Sequence, residues 1–155
     1  MEYKNEHIKG VLEHKEKVAQ NLLIISNKLM ERAFVHDNSK FSATEHDGFL
    51  ENTKVLNKLE YGTQEYKDQL KKLKPVLDHH YKHNSHHPEH YKNGTQDMSF
   101  LDIIEMVCDW KASVERHEMG DIDKSMDINK ERFNIDNQTF KYMQTILDEL
   151  KNSVL

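Results

Sequence analysis

The stretch HHYKHNSHHPEHY, residues 79 to 91, places six histidines in thirteen positions. Imidazole is the side chain that changes charge near neutrality and the commonest metal ligand, so such a run offers metal binding or proton transfer. His79 and His83 are four apart, as are His83 and His87, and a persisting helix would align them on one face. Pro88 limits how far that helix extends. The alternative reading is a solvated, His-rich loop that binds ions without catalysis.

Other polar residues interrupt apolar patterns. His14 lies within a turn of Val11 and Val18, where it is either an inward-facing ligand or a hydrogen-bonded core residue. His36 and Asp37 are adjacent, and as a pair serve as ligands or as an ordinary helix-end cap. Asp109 sits in MVCDWK, the most hydrophobic part of the chain, where a carboxylate needs a cation, a metal or several donors, since burying it unpaired costs several kcal/mol. Together these make two imidazoles and two carboxylates on three helices. Mixed nitrogen and oxygen donors suit a divalent first-row ion such as manganese, iron or zinc better than calcium.

The elements that must position these residues are helical. Five glycines and two prolines in 155 residues, without runs of alternating β-branched residues, leave little for hairpins. Apolar residues from Ile8 to Met30 recur at three and four, which predicts one long amphipathic helix from about Asn5 to Ala33, or two nearly collinear ones. Ser42 and Glu45 have the spacing of a capping box, starting a helix expected to reach Tyr61 and stop at Gly62. A third helix begins near Thr63 and ends around His83 to Asn84, with Pro75 either kinking it or opening a new one. Ser99 is the N-cap expected for a central helix with Phe100, Ile103, Ile104, Val107, Trp110 and Val114 on its buried face, stopped by Gly120. Two shorter helices follow, near Asp123 to Phe133 and Asn137 to Leu150. The expectation is an all-α, single-domain compact bundle over residues 1–155.

The order His14, then His36-Asp37, then Asp109 on a helical scaffold resembles the HD superfamily of metal-dependent phosphohydrolases. The resemblance implies that these four residues bind one metal and that the fold is of HD-domain type. HDNSK is similar to the HD-x-G-K form, which implies that Lys40 reaches the substrate phosphate, with Ser39 in place of glycine. Binuclear members insert extra histidines between the HD pair and the last aspartate, where HHYKHNSHHPEHY falls, and this implies one or two ions per chain. On that comparison His80 and His87 are favoured as ligands of the second ion. His79, His83, His86 and His90 then stand as outer or substrate contacts. Arg116, on the helical face of Asp109, is either a phosphate contact or a partner in an exposed ion pair with Glu115 or near Asp121. Members that hydrolyse cyclic dinucleotides carry a paired HH and a GYP sequence, and GYP is absent here. A closer likeness, through HDNSKF, YGTQEYK, HHYKHNSHHPEHY and CDWKAS, is to an uncharacterised family of bacterial and phage proteins.

The function so implied is hydrolysis of a phosphate monoester or diester, of nucleotide type, by metal-activated hydroxide, with Asp37 and Lys40 in the catalytic machinery. The rivals are a catalytically silent metal- or nucleotide-binding regulatory protein of the same fold, and an interaction module whose histidines tune pH response. With 22 basic and 27 acidic residues the formal charge is −5, which does not advertise a nucleic-acid or membrane binder. No run approaches the roughly 18 apolar residues that span a bilayer. MEYKNEHIKG lacks the apolar core of a secretory signal. Cys108 is the single cysteine, so no intramolecular disulfide forms. The expected setting is cytoplasmic, with a small phosphorylated substrate as partner and self-association into a homo-oligomer open.

Overall fold

Ser99 begins the helix on which much of the molecule is assembled. Its hydroxyl accepts from the Asp102 backbone N–H at 3.2 Å, and the Asp102 carboxylate accepts from the Ser99 N–H at 2.9 Å, a complete capping box. The structure is a computed structural model, and it describes residues 2–56, 58–59, 63–116 and 120–152. Among these the chain is all-α, with helices and short 3-10 turns and no strand. It divides into two compact units, Met1–His36 and Asp37–Leu155.

The first unit is one continuous helix, α1 (Glu2–Val35), rather than two collinear ones. His36 follows it, its backbone N–H reaching the Arg32 carbonyl at 2.8 Å. In the second unit a 3-10 turn (Asn38–Phe41) leads into α2 (Ala43–Leu56) and α3 (Gln64–His83). α2 ends at Leu56, short of the expected Tyr61: the Lys58 backbone N–H closes a turn on the Val55 carbonyl at 3.0 Å, and Gly62 lies outside the described residues. α3 contains Pro75 in its interior, so helix continues on both sides of it.

Two turns (Pro88–His90 and Gly94–Gln96) connect α3 to α4 (Phe100–Glu115), and α5 (Ile122–Arg132) and α6 (Asn137–Asn152) complete the unit. Ile103, Met106 and Val107 of α4, spaced i, i+3, i+4, meet Met126 of α5 and Phe140, Met143 and Leu147 of α6 in one core. Burying each such side chain stabilises the fold by about 1.5–3 kcal/mol.

Phe100 does not join that core. It is 55 % exposed, because as the first residue of α4 it overhangs the end of the packed face, edge-on to Tyr142. α4 also ends earlier than Gly120, at Glu115 with Arg116 as its cap. Gly120 lies instead against Val114, where a Cβ would collide with the Val114 carbonyl.

α2 and α3 run antiparallel. Glu45 faces His80, Gly48 faces Val76, and Asn52 accepts from Gln69 at 2.7 Å. Gly48 costs its helix about 1 kcal/mol relative to alanine, but a Cβ there would strike Val76. This close approach, one turn from Glu45, brings that carboxylate to the end of α3 where the histidines begin.

Candidate metal centre

Four side chains of the second unit converge. Asp37 Oδ1 lies 3.3 Å from His80 Nε2 and 3.6 Å from His86 Nε2, and His80 Nε2 lies 2.9 Å from His87 Nε2. All four groups present a ligand atom within 4.8 Å of one another. Ligands about 2.0–2.1 Å from a tetrahedral first-row ion stand about 3.3 Å apart, within the span of these separations.

Each donor is held by neighbours. Asp37 has φ 57°, in the left-handed region that a non-glycine residue rarely adopts and that collects at functional sites. Its other oxygen, Oδ2, accepts from the Lys40 ammonium. His80 and His86 are 3 % and 2 % exposed. His80 Nδ1 donates to Glu45 Oε2 at 2.8 Å, and His86 Nδ1 to Glu105 Oε1 at 3.1 Å. A carboxylate on Nδ1 fixes the tautomer whose Nε2 carries the lone pair, the usual support of a metal-bound histidine. Burial, with His86 and His80 alongside, pushes the His87 imidazole down to about 3, so the ring stays neutral at ordinary pH.

Glu45 is the residue the sequence concealed. It has the position of a helix-capping glutamate, and its backbone N–H does reach Ser42 Oγ at 3.4 Å. Its fully buried carboxylate instead accepts from His79 at 2.7 Å, His80 at 2.8 Å and Ser39 at 3.0 Å. Burial alone would raise its pKa, but the His79, Ser39 and His80 hydrogen bonds outweigh that and hold it below the ordinary range. The only sequence signal for it was an acidic residue one turn into a helix that follows His-Asp, which capping explains equally well. Glu105, Asn84 and Ser39 were likewise missed.

The loop carrying His86 and His87 is clamped at both ends. The Asn84 amide donates to Ser39 Oγ at 2.6 Å and to the His80 carbonyl at 2.7 Å. Ser85 Oγ and Tyr91 Oη donate to the Asp102 carboxylate at 2.6 and 2.8 Å, tying the loop to the start of α4. Pro88 is buried at the first position of the next turn.

Of the other residues singled out by sequence, Asp109 brings a carboxylate oxygen within 4.8 Å of one from Asp37, and its charge acts on His87. His79 stacks on His83, ring centroids 4.1 Å apart, and these two with Glu45 form a second group of converging ligand atoms. His83 and His90 are exposed and donate through Nδ1 to the carbonyls of His79 and Tyr81. Arg116 is exposed at the end of α4, contacting Ser113. His14 is exposed on α1, and His36 closes the first unit.

A cavity of about 620 Å3 reaches His80 and His87, a volume typical of small-molecule sites. Phe49, Leu50 and Leu77 give it an apolar wall, while Lys40 and His46 bring cationic or ionisable heads.

Fold and site thus define an all-α protein with a candidate centre of three imidazoles and one carboxylate. The chain belongs to the DUF5662 family, a family of unknown function, whose model matches residues 3–154. No curated protein and no solved structure matches it. No helix of the described residues is long and apolar enough to cross a membrane.

Proposed function

We propose that this chain is a metal-dependent hydrolase of phosphate esters, its divalent ion held by Asp37, His80, His86 and His87. The convergence of Asp37 Oδ1 on the Nε2 atoms of two buried histidines, each backed by a carboxylate, carries the reading. The donor set fits a first-row ion: three neutral nitrogens and one anionic oxygen leave net positive charge at the site. A divalent ion so bound supplies Lewis acidity toward a phosphoryl oxygen and acidifies water toward neutrality.

The remaining work falls to residues of this chain. Lys40 lies on Asp37 Oδ2 and lines the cavity, so its ammonium sits where an incoming phosphate would exchange one anionic partner for another. Phe49, Leu50 and Leu77 offer an apolar surface to the body of the substrate, which suits a flat organic group such as the base of a nucleotide. Asp109 adds negative charge beside His87 and Asp37, raising the affinity of the centre for cations. This assignment shares Asp37 and Lys40 with the resemblance to HD-type phosphohydrolases and departs from it at His14, His36 and Asp109, which the resemblance makes ligands of one ion.

The test is a panel of nucleoside monophosphates, cyclic dinucleotides and generic phosphate mono- and diesters, assayed with the full chain and added manganese. The expected result is metal-dependent phosphate-ester cleavage that is lost in Asp37→Ala. Lys40→Ala should lower turnover by about 10²-fold, in the range for removing one charge-stabilising contact, with bound metal unchanged. No Asp37-dependent cleavage of any substrate would overturn the hydrolase reading in favour of a silent metal- or nucleotide-binding protein.

A further inference from the structure

His79 and His83 stand four residues apart on one face of the last turn of α3, and neither belongs to the candidate centre of Asp37, His80, His86 and His87. Their rings lie side by side, centroids 4.1 Å apart and planes 29° from parallel. With Glu45 they bring ligand atoms within 4.8 Å of one another.

Hydrogen bonding sets both rings in the same tautomer. His79 Nδ1 lies 2.7 Å from Glu45 Oε1, and His83 Nδ1 lies 2.8 Å from the His79 carbonyl oxygen. A carboxylate and a carbonyl only accept, so each Nδ1 carries the proton and each Nε2 the lone pair. A carboxylate and a backbone carbonyl are also the usual partners behind a metal-bound histidine, because they orient the ring and raise its basicity. His79 has the first and His83 the second.

We infer that the end of α3 holds a second divalent ion, ligated by Nε2 of His79 and Nε2 of His83, with Glu45 supporting it from behind His79. The helix brings the two nitrogens to one side, and both rings are fixed before the ion arrives, so little side-chain freedom is lost on binding. Imidazole pairs suit zinc, copper or nickel. With two protein nitrogens and water in its other positions, this ion binds more weakly than the one held by four side chains, and it exchanges with free metal. Glu45 links the two sites, since Oε1 supports His79 and Oε2 supports His80. The inference stands apart from phosphate-ester hydrolysis, because it concerns which atoms meet an ion and not what the ion does.

The experiment is equilibrium dialysis of the full chain against zinc(II) at neutral pH, beside His83→Ala, His86→Ala, His90→Ala and Glu45→Gln. The wild type is expected to reach two equivalents, of which the second is lost when free zinc is removed. His83→Ala should stop at one equivalent and keep the tightly held ion, whereas His86→Ala should keep only the exchangeable one. His90, whose Nδ1 donates to the Tyr81 carbonyl, belongs to neither site, so His90→Ala should still take up two. Glu45→Gln should weaken both ions, each by about 10–100-fold. In the wild type, the imidazole nitrogen resonances of His79 and His83 should shift with the second equivalent, a readout that no folding defect of a variant can imitate. Saturation of the wild type at one equivalent that is lost in His86→Ala would overturn the second site and leave the first intact. A His83→Ala that still binds two ions, resonances of His79 and His83 that do not move, or a His90→Ala that loses an equivalent would also overturn it, the last by showing diffuse binding along the run of histidines. An ion lost in His83→Ala but indifferent to His86→Ala would instead uphold this site and count against the centre at Asp37.

Discussion

Glu45 Oε2 stands 2.8 Å from His80 Nδ1, and Glu45 Oε1 stands 2.7 Å from His79 Nδ1. One buried carboxylate on α2 thereby orients two adjacent imidazoles at the end of α3. The interaction is possible because Gly48 lets the two helices approach one turn away. Removing the charge while keeping the shape, in Glu45→Gln, should weaken divalent-metal affinity by about 10–100-fold, the usual effect of losing the group behind a ligand histidine. Competition against a chelating dye measures it. Glu45→Ala should in addition cost about 1–3 kcal/mol of stability, because His79, Ser39 and the buried His80 lose their shared acceptor.

Ser39 stands where the HD-x-G-K form has glycine, and it is built into the site. Its hydroxyl donates to Glu45 Oε2 and accepts from the buried Asn84 amide. Restoring glycine in Ser39→Gly should therefore destabilise the protein, by about 1 kcal/mol or roughly 3 °C in Tm. Calorimetry of the two proteins checks this. An unchanged Tm would mean that the hydroxyl is replaceable by solvent.

The line between what the sequence made legible and what it did not runs through periodicity. α1, α3, α4, α5 and α6 repeat apolar residues every three to four positions, and Ser99 has the capping chemistry it should, so all were readable. Phe100 misled because periodicity assigns a face but does not say where the packed face ends. At the site, His80 and His87 were favoured ligands, and the structure brings both together with Asp37. His86 is read from sequence as an outer or substrate contact, because spacing alone does not separate it from the other histidines of the cluster. The chain leaves the helix after His83, and the loop turns His86 inward on Glu105 and Asp37. No periodic rule describes a loop. Glu45 and Glu105, which orient the rings from other helices, depend on packing between α2, α3 and α4 that only three dimensions display.

Asp136 precedes α6 and accepts from the Thr139 hydroxyl at 2.6 Å and from the backbone N–H groups of Thr139 and Gln138. The Thr139 hydroxyl first, then those amides, hold its carboxyl below the ordinary range. An aspartate whose folded pKa lies below its unfolded value of about 3.9 contributes stability that is present above that value and is lost as pH falls through the lower one. Asp136→Asn, which keeps a capping oxygen, should be less stable than wild type at neutral pH. The gap should close as pH falls below about 4. Urea midpoints measured across that range, wild type against variant, test the sign directly.

The central claim is that Asp37, His80, His86 and His87 share one cation. Metal analysis of the full chain after supply of manganese, iron and zinc in turn, with absorption-edge spectroscopy of the bound ion, addresses it most directly. The account predicts a stoichiometric first-row ion with imidazole nitrogen and carboxylate oxygen in its coordination shell, lost from His86→Ala while Cys108→Ser retains it. A chain that takes up no such ion, or one whose ion is unaffected by His86→Ala, would contradict it.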